Sequence, residues 1–185
     1  MSNLQKALEY AHQNRERFLS ELIEILKIPS ISTDAEYNDE VLRAAEWMAN
    51  HLKSLGIENV EIMPTDGGHP VVYGDSIKKP GAPTVLVYGH YDVQPADPLE
   101  LWETGPFEPE VRGDLLYGRG SSDMKGQVLA SFDAIESVMK SGELPVNLKF
   151  LLEVRRRLAR RICNPSSKNM PKNSKRTFHS IQTPA

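Results

Sequence analysis

An α/β layered fold is what this sequence predicts, from three observations. Apolar residues recur at helical spacing in three segments, short runs rich in β-branched residues lie beside them, and the charge changes sign near residue 153, which bounds the part expected to fold. Residues 1–153 hold all 25 acids against 13 bases, a balance of −12, whereas residues 154–185 hold nine Lys and Arg and no acid, a balance of +9. The chain therefore divides into a folding region, 1–153, and a basic tail, 154–185, whose composition predicts disorder.

Leu4, Leu8, Ala11, Phe18, Leu22, Ile25 and Leu26 fall on one helical face, which predicts a single amphipathic helix ending at Pro29, with His12 on its solvated side. A second helical pattern runs from Val41 to Leu55 and stops at Gly56; His51 belongs to it and is not read as a ligand. Strand patterns follow at Ile57 to Met63, Pro70 to Gly74 and Thr84 to Tyr88. The last is continuously apolar, as a buried central strand should be. Gly89 ends it, and a long polar loop with Pro95, Pro98, Pro106 and Pro109 runs to Gly120. Val128, Leu129, Phe132, Ile135, Val138 and Met139 define a third helix closed near Gly142, and Pro145 to Leu152 returns to strand pattern.

Composition narrows the function classes. With 39% hydrophobic and 25% charged residues the chain reads as soluble, and no apolar run approaches the roughly 20 residues needed to cross a bilayer. The first ten residues lack the basic start and apolar middle of a signal peptide, so a cytoplasmic location is expected. One cysteine, Cys163, excludes an internal disulfide and a cysteine-based zinc site, leaving His and carboxylates to hold any metal.

Two motifs carry chemistry. Tyr88-Gly89-His90-Tyr91-Asp92 places an imidazole and a carboxylate at a strand end, where ligand sites favour α/β sheets. Asp92 could accept the second ring N–H of His90 and so leave the other nitrogen for a metal, although a purely structural His–Asp pair reads equally well from these residues alone. The second motif, Tyr117-Gly118-Arg119-Gly120-Ser121-Ser122-Asp123-Met124-Lys125-Gly126, puts Asp123 at the start of the third helix, where it could bind a cation or simply cap the helix.

Together, in VYGHYDVQPADPLELWETGPFEPEVRGDLLYGRGSSDMKGQ, the motifs resemble the co-catalytic zinc metallopeptidases that include carnosinases, nonspecific dipeptidases, acetylornithine deacetylase and succinyl-diaminopimelate desuccinylase. DVQP, the W…PF.P stretch and LYGRG resemble the dipeptidase branch most, and the likeness covers residues 1–153. The resemblance implies the N-terminal part of a layered α/β zinc-peptidase catalytic domain. It implies that His90 ligates one zinc, that Asp92 orients His90 and tunes the site, that Asp123 bridges two zinc ions, and that the Asp123–Met124 peptide is cis. The implied substrates are dipeptides or N-acylated amino acids. The resemblance further implies dimerisation through a lid domain, which is not expected within these 185 residues.

Beyond Glu153 the family pattern is lost. Where relatives read Gly-Glu-Glu-Glu-Ile-Gly-Ser, with a catalytic glutamate and a zinc ligand, this chain reads Val154-Arg155-Arg156-Arg157-Leu158-Ala159. Arg156 and Arg157 occupy the base and ligand positions, and a guanidinium neither binds zinc nor accepts a proton at neutral pH. The genetic code offers a cause: GGT GAG GAG GAG ATT GGC, with its first G lost, reads GTG AGG AGG AGA TTG GC, which spells Val-Arg-Arg-Arg-Leu-Ala. Ile181 to Ala185 is compatible, in the same shifted frame, with a Ser-Asp-Thr-Gly segment of the kind that carries another metal-binding Asp in the family. A truncated, inactive chain with a bare strand edge around Val146 to Leu152 is the expectation. Two other classes compete: a pseudoenzyme or weak metal-binding module built on His90 and Asp123, and a nucleic-acid binder using the basic tail. Nucleic acid is not the expected partner, because no aromatic interleaving accompanies the bases beyond Phe178.

Overall fold

Ser2 opens the first helix with a reciprocal cap: its Oγ accepts from the Gln5 backbone N–H at 3.2 Å and the Gln5 side chain accepts from the Ser2 backbone N–H at 2.8 Å. In the computed structural model, which describes residues 1–154, α1 (Asn3–Gln13) is followed by a second helix, α2 (Arg15–Leu26), where the sequence predicts one. The break is at Asn14, which leaves helical geometry at φ −101° and ψ 7° while its side-chain amide donates to the Tyr10 carbonyl at 2.9 Å. An asparagine that bonds local backbone offers the chain an alternative to the helix ladder, and apolar periodicity cannot register it.

Helix α3 (Asn38–Ser54) buries Val41, Ala44, Ala45, Met48, Ala49 and Leu52, and its stop at Gly56 uses a positive φ of 85°. Helix α4 (Lys125–Ser141) buries Val128, Leu129 and Phe132. The strands are β1 (Glu61–Thr65), β2 (Gly68–Ser76), β3 (Thr84–His90), β4 (Glu110–Arg112), β5 (Leu115–Tyr117) and β6 (Asn147–Glu153). Strands β4 and β5 form a small hairpin around Gly113 inside the segment that the sequence reading leaves as loop. Three-residue strands are too short to show a period.

The main sheet runs β1-β2-β6-β3, with β6 antiparallel to β2 and parallel to β3. This corrects two expectations. Among the described residues strand β3 is not central but forms an edge, with Val85, Leu86 and Tyr88 exposed, while β6 is flanked on both sides, so the edges lie at β1 and β3 and not at Val146 to Leu152. Neighbour order is decided by the β3-α4-β6 crossover that brings β6 between β2 and β3, and an apolar run in the sequence reports neither that order nor the exposure that an edge position leaves. Leu148, Phe150 and Leu152 alternate toward the helices, where Phe150 meets Phe132 edge-on at 5.6 Å.

Within the described residues no helix is long and apolar enough to cross a membrane. The basic tail, with Arg156, Arg157, Cys163 and His179, lies outside the described residues.

Candidate metal centre

Strand β3 ends on His90, whose register partner on β6 is Glu153, and the Tyr91 backbone N–H donates to the Glu153 carbonyl at 3.1 Å. Beyond that point the chain is held by a second segment. Ile31 and Val93 form a parallel bridge, the Val93 N–H donates to Ser30 O at 2.9 Å, and Ser30 Oγ donates to Tyr91 O at 2.8 Å. Ser32 Oγ donates to Asp92 Oδ2 at 2.5 Å, leaving Asp92 only 1% exposed. Buried carboxylates need such donors, and Ser30 and Ser32 supply the order that local sequence around Asp92 does not reveal.

The other Asp92 oxygen lies 3.1 Å from His90 Nδ1, which is also 3.1 Å from the Asp92 carbonyl. With Nδ1–H committed to Asp92, the lone pair belongs on Nε2. Nε2 lies 3.1 Å from Asp123 Oδ1, so residues 33 apart in sequence meet at hydrogen-bond distance. A lone-pair nitrogen facing a carboxylate oxygen requires a proton or a cation between them. Burial alone pushes the His90 imidazolium down, but its bonds to Asp92 and then Asp123 reverse that and raise its pKa.

Asp123 reaches this position through a tight turn. Gly120 adopts φ +91°, the Asp123–Met124 peptide is cis, and the cap position of α4 is Met124, so Asp123 is not the helix N-cap. Two glycines permit the close approach. A Cβ on Gly126 would stand 2.0 Å from the Ser121 carbonyl oxygen, and one on Gly89 would stand 2.5 Å from Val128 Cγ2.

Lys125 is a support that motif reading passes over. It is fully buried, and its Nζ donates to Ile25 O at 3.0 Å and Ile28 O at 2.7 Å, tying the start of α4 to the end of α2. Burial pushes its pKa down to about 7, against the pull of Asp92 and Glu40. Its place two residues after Asp123 is the one signal that could have found it. Tyr88 and Glu153, bonded through the Tyr88 hydroxyl, are a second pair beside the strand ends.

One imidazole nitrogen, one exposed carboxylate and a buried orienting carboxylate suit a divalent cation that accepts nitrogen and oxygen donors, and zinc is such an ion. The glutamates expected to complete a pair of metals fall at Arg156 and Arg157, outside the described residues. His12 is exposed on α1. His51 is buried on α3 beside Glu21 and Asp133, away from these motifs.

Residues 86–155 match the model of peptidase family M20/M25/M40. The Cys-Gly metallodipeptidase DUG1 of Candida albicans is 35% identical over 164 residues, 81% of this chain and 34% of that protein. The human Beta-Ala-His dipeptidase is 36% identical over 162 residues, 81% of this chain and 32% of that protein. Among solved structures, the dipeptidase Dug1p of Saccharomyces cerevisiae superposes with a TM-score of 0.76 at 29% identity, covering 83% of this chain and 35% of that one. Human carnosine dipeptidase 1 superposes with a TM-score of 0.74 at 33% identity over the same shares. The chain spans about a third of the length of these relatives.

Proposed function

We propose, from the premise that this chain belongs to peptidase family M20/M25/M40, that it represents part of a two-zinc dipeptidase acting on dipeptides or N-acylated amino acids. The observation that carries the reading is the 3.1 Å approach of His90 Nε2 to Asp123 Oδ1, with Nδ1 of the same ring held by buried Asp92. In this reading His90 and Asp123 would hold the metal, with Asp123 serving both ions. Asp92 fixes the His90 tautomer and makes the ring a stronger donor. When bound, the two zinc ions would lower the pKa of a water molecule and polarise the scissile carbonyl. The family's proton-accepting glutamate would stand where Arg156 does, and its absence is why we infer that this chain as it stands is inactive. A lost base after the codon for Glu153, a folding region ending at residue 153 and a cytoplasmic location belong to the same proposal. A single cysteine in 185 residues suits that compartment.

Restoring the reading frame after Glu153 is expected to yield zinc-dependent dipeptide hydrolysis. A folded, metal-loaded, frame-restored protein without hydrolysis refutes the activity. In the present chain, zinc titration of the wild type and His90→Ala tests the ligand assignment, and indistinguishable zinc-induced changes at Asp123 in the two proteins would remove it.

A further inference from the structure

A second cluster lies in the helical layer. Glu21 of α2, His51 of α3 and Asp133 of α4 bring one ligand-type atom each to within 4.8 Å of one another. From Lys125 to Asp133 the helix rises about 12 Å, so this cluster is well separated from Asp123. His51 is sandwiched between Trp47, at 5.0 Å, and Phe132, at 5.7 Å, both rings stacked on the imidazole, which fixes the direction of its edge. The residue is 8% exposed, and its Nε2 is buried without a hydrogen-bond partner. Glu21 Oε2, Asp133 Oδ1 and Glu136 Oε2 are likewise buried and unpartnered.

Unmade bonds of this kind are costly, at about 1–3 kcal/mol for each buried polar group and more for a charged one. The donors nearby are already committed to other atoms. Arg17 donates to Glu21 Oε1 at 2.8 Å and to Glu136 Oε1 at 2.7 Å, and the Tyr10 hydroxyl donates to Glu136 Oε1 at 2.8 Å. Once Asp133 is ionised, three carboxylates face one guanidinium and every orphaned carboxylate atom is an acceptor. Neutral His51, whose pKa burial lowers, adds no charge, and in its Nδ1–H tautomer it presents an Nε2 lone pair. One ion satisfies several acceptors and the charge excess together: a divalent cation.

We propose that Glu21, His51 and Asp133 form a structural metal site for a first-row divalent cation of the zinc type, separate from the His90–Asp123 centre and tying α2, α3 and α4 together. The mixed imidazole and carboxylate set selects such an ion over calcium or magnesium, which take oxygen ligands. Glu136, one turn beyond Asp133 with Oε2 unpartnered, stands next in line as a further ligand. A cavity of about 270 Å³ between α2, α4 and the β4–β5 hairpin has Asp133 in its wall.

The test uses Co²⁺, whose visible bands report coordination, and Zn²⁺ as thermal stabiliser, on the full chain carrying His90→Ala and Cys163→Ser to silence the first centre and the thiol. This parent is expected to bind one equivalent of Co²⁺ and to melt at higher temperature with Zn²⁺. Adding Asp133→Asn or Glu21→Gln, both isosteric, is expected to weaken binding by at least about tenfold and to abolish the Zn²⁺-dependent rise in Tm. His51→Ala removes a core ring and can fail to fold, so the two isosteric variants decide the matter. A folded parent that binds no Co²⁺, or variants that bind as tightly as the parent, overturns the site. Either result leaves the reading of His90 and Asp123 untouched.

Discussion

Asp133→Asn in metal-free protein is the sharpest test of the electrostatics in the helical layer. The groups facing Asp133 are Glu21 and Arg17 of α2, His51 of α3, Glu136 of its own helix and, through Glu136, Tyr10 of α1. Burial first, then the charges of Glu21 and Glu136, push the Asp133 carboxyl up from 3.8 to about 7, with Arg17 opposing. The folded state therefore holds a proton that the unfolded chain releases between about pH 4 and pH 7. Stability falls as pH rises through that window and stays reduced above it. A difference of about three pH units corresponds to about 4 kcal/mol, and partial exposure of the carboxylate screens this to about 2 kcal/mol. Asparagine keeps the shape without the charge. At pH 8 in EDTA the variant is expected to be more stable by about 2 kcal/mol, a rise in Tm of about 4–8 °C for a domain of this size. At pH 4 the two proteins should melt together. Thermal melts followed by circular dichroism at the two pH values decide it. A variant no more stable at pH 8, or one whose advantage is the same at pH 4, refutes the reasoning.

Two further outcomes test the support of the first centre. Asp92→Asn is expected to weaken zinc binding at His90 about 10- to 100-fold, read from zinc-dependent shifts of the His90 imidazole signals by NMR; unchanged affinity would deny Asp92 its orienting role. Gly126→Ala places a methyl 2.0 Å from the Ser121 carbonyl oxygen and is expected to cost about 1–3 kcal/mol in urea denaturation, with loss of the Asp123 geometry. A fully stable Gly126→Ala protein would show that the turn before α4 yields more easily than its packing implies.

Much of this protein is legible in its sequence. The helices α3 and α4, the strand patterns of β2, β3 and β6, and the pairing of His90 with Asp92 follow from periods and motifs, because those report forces acting over a few residues. Asp123 was legible as a candidate, and a turn rich in glycine marked where it would sit. The N-terminal segment forms two helices and not one because the asparagine bond at Asn14 outweighs the apolar spacing that runs through it.

Tertiary structure alone decided the rest. Among the described residues β6 is central and β3, with Val85, Leu86 and Tyr88 exposed, is an edge, because a crossover helix sets neighbours and an apolar run does not. Ser32 braces Asp92 across 60 positions, Lys125 grips Ile25 and Ile28 across about a hundred, and Glu21, His51 and Asp133 converge from three helices. No local pattern encodes such meetings, since each exists only once packing has brought distant backbone together and forced buried polar atoms to find partners.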